Sequence, residues 1–292
     1  MRTEQEMMDL ILRTAREDPR IRAVYMNGSR TNPKVVPDLF QDYDIVYVVT
    51  ETRPFLEDPH WIDRFGKRLY MQKPEEVDAW RKQPCDWEAS YGWLIQFADG
   101  NRMDLHVQTD PQRIREDGLC RVLLDKDGCL PSMPASTDEQ YYVKKPDAQE
   151  FRACCNEFWW CLNNVAKGLW RKEVPYVQDV LHLIRGELTR LLSWKVGVRT
   201  DFSCSVGKSG KYLYRWLPVR DWNAFLRTYA GADLEELWEA SFEMCRLFDK
   251  VARQLSDSLG YAYDREEARA SLKHLQYVRQ LPRDAQELYS EN

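Results

Sequence analysis

At 292 residues, 43% hydrophobic and 30% charged, the chain has the composition of a globular protein with room for two domains, not of a disordered one. A net charge of −5 excludes a broad basic field for nucleic acid, and no apolar run approaches a membrane span. Eight cysteines without a C-x-x-C pair and four scattered histidines offer no zinc spacing, and the acids near the start are unlike a signal peptide, so free thiols in a cytoplasmic protein are expected.

Thr3 and Glu6 carry a capping-box signature that opens a helix over 3–17. Ile21 to Met26 reads as a short strand that ends in a Gly28-Ser29 turn. A loop with Pro33 and Pro37 leads to a second strand over 43–49. Side chains alternate along a strand, so Asp42 and Asp44 project to the same side, about 7 Å apart along the chain. Helical structure is expected from Trp61 to Leu69. Tyr91 to Ala98 and Arg102 to Gln108 read as two strands joined by a tight turn at Asp99-Gly100-Asn101. In the returning strand Met103, Leu105 and Val107 make an apolar face, and Arg102, Asp104, His106 and Gln108 a polar one. Val122 to Leu124 is a further short strand, Asp125 to Gly128 a turn, and Pro131 to Pro134 the start of a linker.

From Pro146 the period becomes helical. Asp147-x-x-Glu150, Asp233-x-x-Glu236 and Asp264-x-x-Glu267 are capping-box signatures. Phe151, Cys155, Phe158, Leu162 and Val165 recur at helical spacing, as do Val177, Val180, Leu181, Ile184, Leu188 and Leu191. Further helices are expected over 219–229, 233–258 and 264–280. The fold class is therefore α+β: a mixed sheet with flanking helices over 1–145, then a helical bundle over 146–292.

The chemistry gathers at the N-terminal strand ends. Two neighbouring carboxylates repel, so one takes up a proton unless a cation lies between them. A hard divalent ion such as Mg²⁺ suits oxygen ligands, and it is commonly held by one or two carboxylates plus substrate phosphates. Gly28 and Ser29 form a turn able to offer backbone N–H groups to an anion. With Asp104 on a neighbouring strand, Asp42 and Asp44 would make a two-metal site for phosphoryl or nucleotidyl transfer. Taken singly, each acid more often reads as a surface residue on a strand end, and Ser29 reads also as an ordinary turn residue. Arg30 either contacts phosphate or pairs with an acid.

Gly28-Ser29-Arg30, Asp42-x-Asp44 and Asp104 resemble the nucleotidyltransferase superfamily with a polymerase-β-like palm. Phe40-Gln-Asp-Tyr-Asp-Ile45, Phe65-Gly, Met71-Gln-Lys-Pro-Glu75, Cys154-Cys-Asn-Glu-Phe-Trp159, Lys167-Gly-Leu, Ser193-Trp-Lys-Val-Gly197 and Ser205-Val-Gly-Lys208 resemble the aminoglycoside 6-adenylyltransferases, the streptomycin-modifying enzymes. The resemblance runs through nearly the whole chain. It implies transfer of AMP from MgATP to a hydroxyl of streptomycin, at position 6, with release of pyrophosphate and resistance to the antibiotic. Asp42 and Asp44 would hold Mg²⁺, two ions in all, and Gly28 and Ser29 the phosphates. Asp104 would be metal ligand, general base or both. The partners would be ATP and an aminoglycoside, with no nucleic acid or membrane, and the chain would act as a monomer. Two other readings stay open. One is nucleotidyl transfer to a protein, an RNA end or another small hydroxyl compound; the other is a non-catalytic nucleotide-binding module.

Gly207-Lys208-Ser209 is not a Walker loop, because the required glycine is replaced by Phe202. Lys208 remains a candidate to reach the triphosphate as a point charge, and Lys211 reads as solvated. A polycationic substrate should meet carboxylates and aromatic faces. Glu157, Asp179 and Glu187 are the candidate acids, with Trp159, Trp160 and Trp170 nearby in sequence. Asp179 and His182, three apart, share a helix face. The ordinary alternative is that these acids are solvated and the tryptophans pack in the core.

Overall fold

A computed structural model describes residues 1–289. Its contacts divide the chain into two compact units, Met1–Gln140 and Tyr141–Asn292. Among the described residues no helix is long and apolar enough to cross a membrane.

The first unit is built on a six-stranded mixed sheet. Helix α1 (Glu4–Glu17) starts at the Thr3 cap, with both halves of the capping box formed by Glu6. The strands are β1 (Ile21–Asn27), β2 (Tyr43–Val49), β3 (Arg68–Gln72), β4 (Ser90–Phe97), β5 (Arg102–Gln108) and β6 (Cys120–Asp125). Their order across the sheet is β3-β4-β5-β2-β1-β6. Only the β2–β5 pair is parallel, with Asp44 opposite Asp104. Short helices α2 (Arg53–Leu56) and α3 (Pro74–Trp80) interrupt the long connection between β2 and β4.

Strand alternation explains the layers. Ile45, Tyr47 and Val49 of β2 and Met103, Leu105 and Val107 of β5 face one core, covered by Met7, Ile11 and Ala15 of α1. Phe55, Trp61, Phe65 and Trp93 close that core, with Trp61 edge-on to Phe55 at 4.8 Å between ring centroids. On the opposite face Ala23, Tyr25, Val46, Val48, Ile114 and Cys120 form a smaller cluster. Asp44 and Asp104 belong to that second face, beyond the end of its apolar part.

One expected element is different. The helical stretch assigned to 61–69 is a 3-10 turn over Trp61–Phe65, and Arg68 and Leu69 already belong to β3. Gly66 adopts φ 118°, a region open mainly to glycine, and its N–H closes the turn on the Asp63 carbonyl at 3.0 Å. The chain then pairs with β4 as an edge strand, a long-range gain with no local signature. The short strand at 122–124 extends to Cys120–Asp125 because it pairs with β1.

The second unit is helical: α4 (Ala148–Arg171), α5 (Val174–Arg199), α6 (Leu213–Trp216), α7 (Val219–Leu226), α8 (Leu234–Leu259) and α9 (Arg265–Gln280). Asp147 and Glu150 form a reciprocal capping box. Asp233 and Asp264 cap their helices from the side chain. Glu267 does not return a bond to its cap but accepts one from Asn156 Nδ2 at 2.6 Å. The apolar stripes of α4, α5 and α8 meet in one core, where Phe158 stacks on Phe248 at 3.7 Å. Trp159 lies in that core, whereas Trp160 is exposed. Buried Asp221 of α7 binds Lys195 of α5 at 2.7 Å and Lys250 of α8 at 2.5 Å, tying three helices together. All eight cysteines are free, and six are buried.

Candidate active site

Asp42, Asp44 and Asp104 converge. Each offers one carboxylate oxygen, and the three oxygens lie within 4.8 Å of one another. Two pieces of backbone produce this. Strand alternation puts Asp42 and Asp44 on one side, and the parallel β2–β5 register sets Asp104 beside Asp44.

The cluster is electrostatically loaded. Burial, then the neighbouring Asp42 and Asp104, push the Asp44 carboxyl up to about 7. Without a cation Asp44 therefore holds a proton up to near neutral pH. The donors are all hard carboxylate oxygens, the set that suits Mg²⁺. Asn27, opposite Asp44 in the β1–β2 ladder, adds a buried Oδ1 with no hydrogen-bond partner. The residues thus fit a divalent ion.

The turn after β1 lies against these acids. Gly28 has φ 76° and ψ −158°, a conformation essentially restricted to glycine. Its N–H donates to the Leu119 carbonyl at 3.0 Å. Ser29 opens a 3-10 turn closed by Thr31 and Asn32, whose N–H groups donate to the carbonyls of Gly28 and Ser29. The Ser29 and Arg30 N–H groups lead that turn, outside its internal bonds. Ser29 Oγ accepts from Gln41 Nε2 at 3.4 Å.

Of the two alternatives drawn from sequence, Arg30 makes the pairing with an acid, at Glu4, and adds contacts to backbone. Its Nε donates to the Asp42 carbonyl and its Nη2 to the Gln41 carbonyl, both at 2.9 Å. Its guanidinium lies 3.9 Å from the Tyr43 ring centroid, and Nη1 reaches Glu4 at 3.3 Å. The side chain grips the backbone that carries Asp42.

Several participants escaped sequence reading. Arg102 binds both oxygens of Asp104, Nε to Oδ1 at 3.0 Å and Nη2 to Oδ2 at 2.7 Å, and its Nε lies 3.7 Å from Asp42 Oδ2. Its i, i+2 spacing from Asp104 was the available signal, since both face the same side of β5. Asp117 adds a further negative charge near Asp44. His106, next along the acid face, is pushed down from the usual imidazole range by burial. Nothing in their sequence spacing marks Asn27 or Asp117.

The remaining candidates belong to the helical unit. Lys208 is exposed and begins the 3-10 turn Lys208–Gly210, whose Gly210 is buried. Asp179 and His182 lie exposed on α5. Glu157 on α4 accepts from the Cys161 thiol at 3.3 Å, and the charge of Glu187 on α5 also acts on that thiol. Burial, then Glu157 and Glu187, push that thiol up to about 11. Glu187 is only 13% exposed and pairs with Arg190 at 3.0 Å.

Residues 1–278 match the family described as streptomycin adenylyltransferase. An aminoglycoside 6-adenylyltransferase from Bacillus subtilis (strain 168) is 40% identical over 268 residues, covering 90% of this chain and 93% of that protein. One from Campylobacter jejuni is 37% identical over 268 residues, covering 90% and 91%. A crystal structure of an aminoglycoside 6-adenyltransferase from Bacillus subtilis is similar at 34% identity, with 96% of this chain and 100% of that chain covered and a TM-score of 0.47.

Proposed function

The chain belongs to the streptomycin adenylyltransferase family, and on that premise we propose that it moves AMP from MgATP to the 6-hydroxyl of streptomycin, releasing pyrophosphate. It is a nucleotidyltransferase, and its family adenylylates aminoglycosides. The observation that carries the reading is the convergence of Asp42, Asp44 and Asp104 within 4.8 Å.

Mg²⁺ at these carboxylates, as two ions, would supply charge neutralisation at the triphosphate and a more acidic acceptor hydroxyl. Asp42 and Asp44 are the holding residues. Asp104 completes the set and can take the hydroxyl proton, since a sugar alcohol is a poor nucleophile until a base draws off its hydrogen. Gly28 lets the backbone pass close to the acids, and Ser29 and the leading N–H groups of its turn face the phosphates. Arg30 grips the backbone that carries Asp42. Glu157, Asp179 and Glu187, with His182 beside Asp179, are the groups that meet the cationic antibiotic. The net charge of −5 favours such a substrate over nucleic acid.

The test is incubation of the protein with MgATP and a panel of aminoglycosides. Pyrophosphate release and a streptomycin product heavier by one AMP are the expected results. Release only with a protein or RNA acceptor would replace the substrate, and no release with any acceptor would leave a nucleotide-binding module.

A further inference from the structure

Arg102 makes a bidentate pair with Asp104 and extends its Nε toward Asp42. A guanidinium fork matches a carboxylate in this way and stays charged at all working pH values. It thus sits on two of the three groups that converge to hold a divalent ion. Arg102 is also 48% exposed at its side chain, whereas Asp104 is 15% exposed. The arginine can therefore swing into solvent while the aspartate stays.

We propose that Arg102 is a positioning residue, the resident counter-ion of the acid cluster, which keeps Asp104 aimed at Asp42 when no divalent ion is bound and gives way when one binds. The inference rests on the divalent-ion reading of the cluster. At the mildly alkaline pH of the test, three carboxylates and one guanidinium leave two net negative charges, and a positive charge touching two ligands opposes an incoming cation. Removing it strengthens binding of the ion while loosening the geometry that awaits it.

Manganese alone, without nucleotide, is the probe. Free Mn²⁺ is followed by electron paramagnetic resonance with the full chain, comparing wild type, Arg102→Gln and Arg102→Lys at one mildly alkaline pH. Arg102→Gln should bind Mn²⁺ about tenfold tighter or more, because a full charge in contact with the ligands is gone. Arg102→Lys, which keeps the charge without the fork, should bind Mn²⁺ near the wild-type affinity, and its kcat at saturating Mg²⁺ should hold, because the side chain has left the ligands by then. A second readout needs no variant: the Arg102 Nε–H resonance should move when Mg²⁺ is added to the wild-type protein. Equal or weaker Mn²⁺ binding by Arg102→Gln, or an Arg102 resonance unmoved by saturating Mg²⁺, overturns the counter-ion role. Absence of Mn²⁺ binding to both wild type and Arg102→Gln removes the divalent-ion reading and the proposal with it.

Discussion

A methyl group built at Gly28 would come within 2.1 Å of Asp44 Oδ2, so this glycine and this acid occupy one space. The contact explains why a glycine stands there as much as its positive φ does. Gly28→Ala should therefore displace the Asp44 carboxylate or the turn. We expect turnover to fall by orders of magnitude, with a stability loss of about 1–3 kcal/mol from the forced backbone conformation. Steady-state kinetics and urea denaturation of the variant check both.

Asp44 predicts an unusual dependence of stability on pH. Its folded carboxyl sits at about 7, above the ordinary value of 3.8. The folded state therefore holds a proton that the unfolded state has released between these values. Metal-free protein should lose stability as pH rises through that window, by at most on the order of 4 kcal/mol. Asp44→Asn removes this slope: it should match wild type near about pH 4 and exceed it near about pH 8, while activity falls by orders of magnitude. Denaturation in chelator at both pH values is the measurement, and full activity of the variant would refute the metal assignment. Mg²⁺ should flatten the wild-type slope in the same way.

Arg30 separates a structural grip from a phosphate contact. Its side chain is 11% exposed and spends its N–H groups on the carbonyls of Gln41 and Asp42 and on Glu4. Arg30→Met should cost about 1.5–3 kcal/mol of stability through lost charge-assisted hydrogen bonds. It should also weaken Mg²⁺ activation more than ATP binding at saturating Mg²⁺. A large rise in the KM for ATP alone would return Arg30 to the phosphates.

For the antibiotic, the acids differ by burial. Glu187 is shielded and already partnered by a cation, Arg190, whereas Asp179 is exposed. A charge-assisted contact in shielded surroundings is worth about 1.5–3 kcal/mol, roughly ten- to a hundredfold in KM. Glu187→Gln should raise the streptomycin KM by that factor, and Asp179→Asn by less, with the KM for ATP unchanged. Such a contact is made in ground state and transition state alike, so kcat should hold. If Asp179→Asn has the larger effect, the order of the two acids is reversed.

Asp221 gives a prediction for the helical unit alone. Burial would raise its carboxyl, but Lys195 and Lys250 bring it below the ordinary value. Asp221→Ala leaves two ammonium groups facing each other with no carboxylate between them and should cost about 3–5 kcal/mol. Since the folded carboxyl is depressed, its contribution is present above the ordinary carboxylate pKa and disappears as pH falls through the folded value. Denaturation of the variant across acid pH tests the sign.

Much of this fold is written locally. The Thr3 and Asp147 caps, the alternation that puts Asp42 and Asp44 on one side, and the helical stripes of α4 and α5 arise from neighbours within a few residues, which is why spacing reveals them. The Asp42–Asp44 pair was legible for the same reason, whereas Asp104 joined it in the sequence only through motifs running along the chain. The rest depends on residues far apart in sequence. Parallel register alone sets Asp104 beside Asp44, and edge pairing alone turns Arg68 and Leu69 into a strand instead of a helix. Long flexible side chains are harder still. In sequence Arg30 reads as a phosphate or acid contact and Arg102 only as part of a polar strand face. Folding commits one guanidinium to backbone carbonyls and the other to a carboxylate, because a fork of N–H groups goes to whichever acceptors packing leaves within reach.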